Sequence, residues 1–162
     1  MSDNVYLGNP NLKKANTPIE FTEENVIEFV KCKNDPVYFA RKYIKIVSLD
    51  EGLVPFNMYD FQEKLIDRFH KNRFNICKMP RQTGKSTTCI SYLLHYAVFN
   101  DNVNIAVLAN KASTARDLLG RLQLAYENLP SWMQQGIISW NKGSLELENG
   151  SKISANSTSS SA

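Results

Sequence analysis

The sequence predicts an α/β fold organised around a parallel sheet, and two observations carry that prediction. From residue 74 onward, short apolar runs alternate with helical patterns: an apolar run at 74–79, a helical stretch from about Lys85, an apolar run at 103–109, and a second helical stretch closed by Pro130. Strand, crossover helix, strand, helix is the grammar of a parallel sheet. At the first strand-to-helix junction stands "KMPRQTGKSTT", whose Gly84-Lys85-Ser86 is how a phosphate-binding loop ends.

The elements follow in order. Residues 1–18 are polar, with Asn, Lys, Pro and Gly, and read as an extended arm outside the core. A helix begins after Thr22, where Glu23 and Glu24 suit the positive helix end, and carries Val26, Ile27 and Val30 on one side. "KCKND" breaks the chain before a second helix capped by Asp35 with Pro36 in its first position, burying Phe39, Ala40 and Tyr43. "DEGLVP" reads as a turn. Residues 59–70 then repeat apolar groups at Phe61, Leu65, Ile66 and Phe69, the stripe of an amphipathic helix.

The strand at 74–79 leads into the loop and into a helix with Ile90, Leu93, Leu94 and Ala97 on one face. "NDN" turns the chain into "VNIAVLA", expected as a buried parallel strand. Thr114 with Asp117 opens the next helix as a capping box, with Leu118, Leu122, Ala125 and Leu129 buried. "SLELENGSKIS" is a hairpin turning on the two residues Asn149-Gly150. The final "STSSSA" is of low complexity.

Composition excludes several classes. With 162 residues, 43% hydrophobic and 22% charged, the chain suits one domain with a real core. Its longest apolar run, residues 90–99, contains His95 and falls far short of the roughly 20 residues that cross a bilayer. No secretory pattern opens the chain, which places it by expectation in a cytoplasm. Cys32, Cys77 and Cys89 form no CxxC pair, and with only His70 and His95 beside them support neither a disulfide frame nor a zinc site. A net charge of +3 does not by itself indicate nucleic acid. Lys64, Arg68, Lys71, Arg73, Lys78, Arg81 and Lys85 do crowd the approach to the loop, partly offset by Asp60, Glu63 and Asp67.

The loop has definite chemistry. Backbone N–H groups at a helix start point toward phosphate oxygens, and the helix adds about half a positive charge there. Gly84 permits close approach, Lys85 brings charge to the β and γ phosphates, and Ser86 offers a hydroxyl to Mg²⁺. Arg81 replaces the usual neutral residue and has two readings. It either stabilises charge developing on the γ-phosphate, a role in which arginine contributes ~10³ to 10⁵ in rate, or anchors the loop to a neighbouring carboxylate. Gln62 can donate and accept at once, which suits the edge of adenine, while Phe61 belongs mostly to the core. Hydrolysis further needs an acid after an apolar strand to hold Mg²⁺ and a group to activate water. Of the acids after Ala109, Asp117 and Glu127 fall in a helix and Glu146 and Glu148 in a hairpin, so that half of the site is expected outside this chain.

With these residues in view, the chain resembles the large terminase subunit of T-even-like tailed bacteriophages, the ATP-driven motor that packages DNA into a capsid. The likeness runs through "NPNLKKAN", "DPVYFARKY", "YDFQEKL", "RQTGKST" and "GIISWNKGSLELENGS"; where a phosphate loop normally begins with glycine, five residues before Gly84, this chain has Met79, and the family likewise replaces that glycine and keeps an arginine before the glutamine, as Arg81-Gln82 does here. The resemblance implies a P-loop NTPase of the additional-strand, RecA-like class, with a parallel central sheet preceded by a small helical segment. It implies ATP and Mg²⁺ held by Gln62, Arg81, Gln82, Thr83, Gly84, Lys85, Ser86 and Thr87, with Arg81 and Lys85 catalytic and Ser86 on the metal. Its implied partners are double-stranded viral DNA, the portal protein and the small terminase subunit, in a homo-oligomeric ring at the procapsid in the host cytoplasm.

On this reading residues 1–20 are the arm and 21–162 the first part of the ATPase domain, cut before the Walker B acids, with a nuclease domain absent. Such a fragment is expected to bind ATP weakly, to hydrolyse it negligibly and to aggregate through exposed strand edges. Two other readings stay open: a fragment of a superfamily-two helicase, which continues into a DEAD-like box, and a non-catalytic nucleotide-binding or interaction module.

Overall fold

Residues 4–48 and 50–158 are described by the computed structural model. The elements are β1 (Val5–Tyr6), β2 (Asn9–Lys13), α1 (Glu23–Asn34), α2 (Pro36–Tyr43), β3 (Lys45–Ser48), β4 (Gly52–Pro55), α3 (Asp60–Lys71), α4 (Lys85–Phe99), β5 (Asn104–Ala109), α5 (Ala112–Glu127), β6 (Ile137–Trp140), β7 (Ser144–Leu147) and β8 (Lys152–Ser157).

Helix α1 starts where the Thr22 hydroxyl accepts the Asn25 N–H at 3.2 Å, with Glu23 and Glu24 in its first turn. It runs on through Asn34, so the expected break over residues 31–35 shrinks to Asp35 alone. The physical reason is that Lys31, Cys32, Lys33 and Asn34 contain no helix breaker. Asp35 ends α1, and its carboxylate accepts the Tyr38 N–H at 2.8 Å to start α2. The apolar side of α1 is not buried: Val26, Ile27 and Val30 are 48%, 70% and 50% exposed. Phe29 packs on Phe99 with ring centroids 4.9 Å apart. The Glu28 carboxylate receives the Tyr43 hydroxyl at 2.9 Å, the Tyr38 hydroxyl at 3.0 Å and Lys42 Nζ at 2.9 Å. Partial burial alone would raise the Glu28 pKa, but these hydrogen bonds from Lys42, Tyr43 and Tyr38 outweigh it and bring it down to about 2.

The helical core gathers Phe39, Ala40, Ile66, Leu94, Ala97 and Phe99. His95 lies inside it, 2% exposed. Its Nε2 is 2.8 Å from the Cys32 carbonyl, which can only accept, so Nε2 bears the proton. Nδ1 is buried without a partner among the described residues. Burial, more than the nearby His70, pushes the His95 pKa down to about 4 and keeps the ring neutral.

The expected parallel central sheet is in fact a mixed one. Its strand order is β5-β8-β7-β6, with only β5 and β8 parallel and the other two pairings antiparallel. The fold is mixed α/β with small sheets. Strand β5 is exposed at alternate residues, Leu108 to 57%, instead of buried on both faces. Residues 74–79 are not a strand: Phe74 is 82% exposed and Ile76 fully so. An apolar run becomes a strand only beside a ladder partner, and no described strand pairs with this one. "DEGLVP" is likewise more than a turn, because residues 52–55 form β4, paired antiparallel with β3.

Helix α5 begins at Ala112 with Lys111 at its cap, two residues ahead of Thr114, so the Thr114–Asp117 capping box is not formed. Leu119 is fully buried where Leu118 was expected, and Leu122 and Ala125 are buried as expected. The β7–β8 turn holds three residues, closed by the Leu147 N–H on the Ser151 carbonyl at 2.9 Å, and among Asn149 and Gly150 only Gly150 has positive φ, 78°. Asn149 instead donates to the Ala97 and Asn100 carbonyls at 2.9 and 3.1 Å, tying the turn to the end of α4.

The amino-terminal segment is not an arm outside the core. Strands β1 and β2 form a hairpin with Leu12 and Lys13 buried. Gln134 accepts the Lys13 N–H at 3.1 Å and donates to the Asn11 carbonyl at 2.9 Å. Glu148 accepts the Asn16 N–H at 2.8 Å and pairs with Lys13 at 3.3 Å. These partners lie so far along the chain that no local pattern reveals them. Residues 1–3 of the expected arm and 159–162 of the low-complexity tail lie outside the described residues.

Candidate functional site

The loop from Met79 to Gly84 is made by two residues in left-handed backbone, Gln82 at φ 63° and Gly84 at φ 74°. Gly84 is the N-cap of α4 and supplies no side-chain acceptor, so the first N–H groups of the helix are left without a side-chain cap. The first helical bond runs from the Thr88 N–H to the Gly84 carbonyl at 2.9 Å.

Side chains fold the loop onto itself. Lys85 Nζ donates to the Met79 carbonyl at 3.1 Å and also to the Pro80 carbonyl. The Thr83 hydroxyl donates to the same Pro80 carbonyl at 3.1 Å. Gln62, only 4% exposed, accepts the Tyr59 N–H at 2.9 Å and donates through Nε2 to the Thr83 carbonyl at 3.1 Å. A Cβ on Gly84 would overlap that Nε2 atom. Helix α3 and the loop are thus in direct contact through one amide.

Gln62, Thr83, Gly84 and Lys85 are therefore brought together. The Gln62 amide, which the sequence suits to the edge of adenine, is engaged by protein at both ends, with one N–H and one lone pair remaining. Phe61 corrects the other half of that reading: it is not in the core but 41% exposed, stacked on Tyr59 with centroids 5.7 Å apart and planes 9° apart. Arg81, Gln82 and Ser86 are exposed. Arg81 forms no ion pair among the described residues, so no carboxylate anchors it there.

The hydroxyls divide by use. Thr88, which motif reasoning passed over, donates to the Gly84 carbonyl at 3.0 Å, the back-bond open to any Thr one turn into a helix. The Thr87 carbonyl receives the Ser91 hydroxyl at 2.8 Å. The Ser86 hydroxyl makes no side-chain hydrogen bond among the described residues and, on the exposed first turn of α4, is open to a cation. No group of three or more His, Cys, Asp or Glu among the described residues is placed to hold a metal.

An uncapped helix start, two cations and a presented hydroxyl have the chemistry that suits an anion of the phosphate type. Of the basic run, Lys71 is paired with Asp67 at 2.8 Å, while Arg73 lies 5.2 Å from the centroid of the Phe74 ring. No helix among the described residues is long and apolar enough to cross a membrane.

A model of the amino-terminal region of the terminase large subunit, T4likevirus type, matches residues 76–162, more than half of the chain, including the loop, α4, α5 and the four-stranded sheet.

Proposed function

The chain belongs to the T4likevirus-type terminase large-subunit family, in its amino-terminal region, and from that membership we propose that it provides the ATP-binding part of a motor that couples hydrolysis to movement of double-stranded DNA into a procapsid. A role in phage DNA packaging follows from the family; the nucleotide, the coupling and the remaining partners are our reading. In that reading the domain is a P-loop NTPase of the additional-strand class. It works as a ring on the portal protein with the small terminase subunit, in the host cytoplasm.

The observation that carries the nucleotide assignment is Lys85. Its ammonium is folded back on the Met79 and Pro80 carbonyls across a helix start that lacks a side-chain cap. The residues fit a triphosphate with Mg²⁺, because donors and positive charge converge and no acid lies within the loop. Bound ATP supplies the transferable phosphoryl group, and Mg²⁺ neutralises its charge. Lys85 exchanges carbonyl oxygens for phosphate oxygens. Ser86 offers its hydroxyl to the metal, since that of Thr88 is already donated to Gly84. Gln82, Thr83, Gly84 and Thr87 supply the backbone of the cradle. Gln62 reads the base with its remaining amide positions while holding Thr83. Arg81, exposed and without an ion pair among the described residues, is the group left to meet charge on the γ-phosphate.

Fluorescent ATP titrated in the presence of Mg²⁺ tests the assignment. Lys85→Ala should weaken binding at least tenfold, and Ser86→Ala should remove the Mg²⁺ dependence more than the affinity of free nucleotide. Equal affinity of wild type and Lys85→Ala would overturn it.

A further inference from the structure

A second concavity lies away from the phosphate loop, between β3 and the facing sides of α4 and α5, with a volume of about 270 Å³. Its lining includes Ile44, Ile90 and Ala125, which are 2%, 6% and 3% exposed, and Leu124, which is half-buried. Two cations complete it: Lys45 from β3 and Arg121 from α5, both exposed and neither in an ion pair among the described residues. No carboxylate is among its lining residues. Ser91 also lines it, but the hydroxyl is donated to the Thr87 carbonyl at 2.8 Å.

A packing gap between a hairpin and two helices needs no such arrangement. A cleft with an apolar side, two positive groups outside any ion pair among the described residues and no acid in its lining is complementary to an apolar body bearing negative charge. Apolar contact anchors the body, and charge-assisted hydrogen bonds fix the head. The volume lies below the roughly 300–1,000 Å³ usual for drug-sized ligands, which limits the occupant to about one ring or one branched chain. Arginine favours a planar, two-oxygen head that its guanidinium grips with two parallel bonds, so a carboxylate suits better than a spherical anion.

We propose that the cleft between β3 and the α4–α5 pair binds a small amphiphilic carboxylate, its hydrocarbon body on Ile44, Ile90 and Leu124 and its head between Lys45 and Arg121. The site is independent of the nucleotide assignment, although Thr87 on the first turn of α4 also lines it.

Amide chemical-shift titration of the isotopically labelled chain tests this with 4-isopropylbenzoate as the probe, 4-isopropylbenzyl alcohol as its neutral counterpart and acetate as the head alone. The expected result is saturable binding of the benzoate, with shifts centred on Ile46, Ile90 and Leu124. Binding of the alcohol should be at least fivefold weaker, acetate should not saturate, and Arg121→Ala and Lys45→Ala should each weaken the benzoate at least threefold. Both substituted residues are exposed, and the unchanged remainder of each variant's spectrum reports an intact fold. Equal binding of acid and alcohol, shifts centred on residues 81–86, or undiminished affinity in both variants would overturn the proposal.

Discussion

Gly84→Ala probes the contact between α3 and the loop from Met79 to Gly84, and its cost can be worked from two separable causes. The residue sits at φ 74°, where an alanine is strained by about 1–2 kcal/mol. Its new Cβ also overlaps Gln62 Nε2, so the amide must turn away from the Thr83 carbonyl it now meets at 3.1 Å. That adds about 1 kcal/mol for a buried hydrogen bond. The single substitution should therefore cost about 2–3 kcal/mol. In a Gln62→Ala background the overlap and the bond are both gone, and Gly84→Ala should cost only the backbone strain of about 1–2 kcal/mol. Urea unfolding of wild type, the two single variants and the double variant gives the cycle directly, provided that the denaturant slope is unchanged. A coupling near 1 kcal/mol is expected. If the two substitutions add to within roughly 0.5 kcal/mol, the limit for independent sites, the amide does not govern the loop and the reasoning fails.

Acid should act on this protein in two successive windows that meet near pH 4. His95 has a folded pKa of about 4 against an ordinary 6.5, so the unfolded chain takes up the proton first and stability falls as pH drops from 6.5 toward 4. The full effect is roughly 3 kcal/mol at 1.36 kcal/mol per unit, and His95→Gln should flatten the slope; a slope that survives in the variant assigns it to another group. Glu28, ordinarily at 4.5 and held at about 2, contributes stability that is present above 4.5 and lost as pH falls toward 2. Tyr43→Phe should raise the Glu28 pKa measured by carboxyl carbon NMR, and an unmoved titration would show that the hydroxyl at 2.9 Å does not hold it.

Local chemistry was legible wherever one residue governs an element. Thr22, Asp35 and Pro36 announce the two helix starts, and Gly84 announces the left-handed turn into α4. Features that depend on distant partners were not. Residues 74–79 carry a strand's apolar pattern without a ladder to join, and Lys13 looks solvated until Gln134 is placed beside it. Thr114 looks like a cap, yet Lys111 opens α5 because the chain turns helical directly after β5. Within the loop, Lys85, Ser86 and Arg81 could be singled out as candidates from the motif. That Gln62 grips Thr83 could not, because it depends on the angle at which α3 meets the loop.

The docking of the β1–β2 hairpin also sets an order of events. Its anchors join residues 121, 123 and 132 positions apart, through Lys13 to Gln134, Asn11 to Gln134 and Asn16 to Glu148. On a ribosome adding roughly 5–20 residues per second, the first strands made must wait several seconds for the segment that receives them. During that interval Leu12, fully packed at the end, is exposed together with unpaired strand edges. The β1–β2 hairpin thus cannot settle before Gln134 and Glu148 have been made.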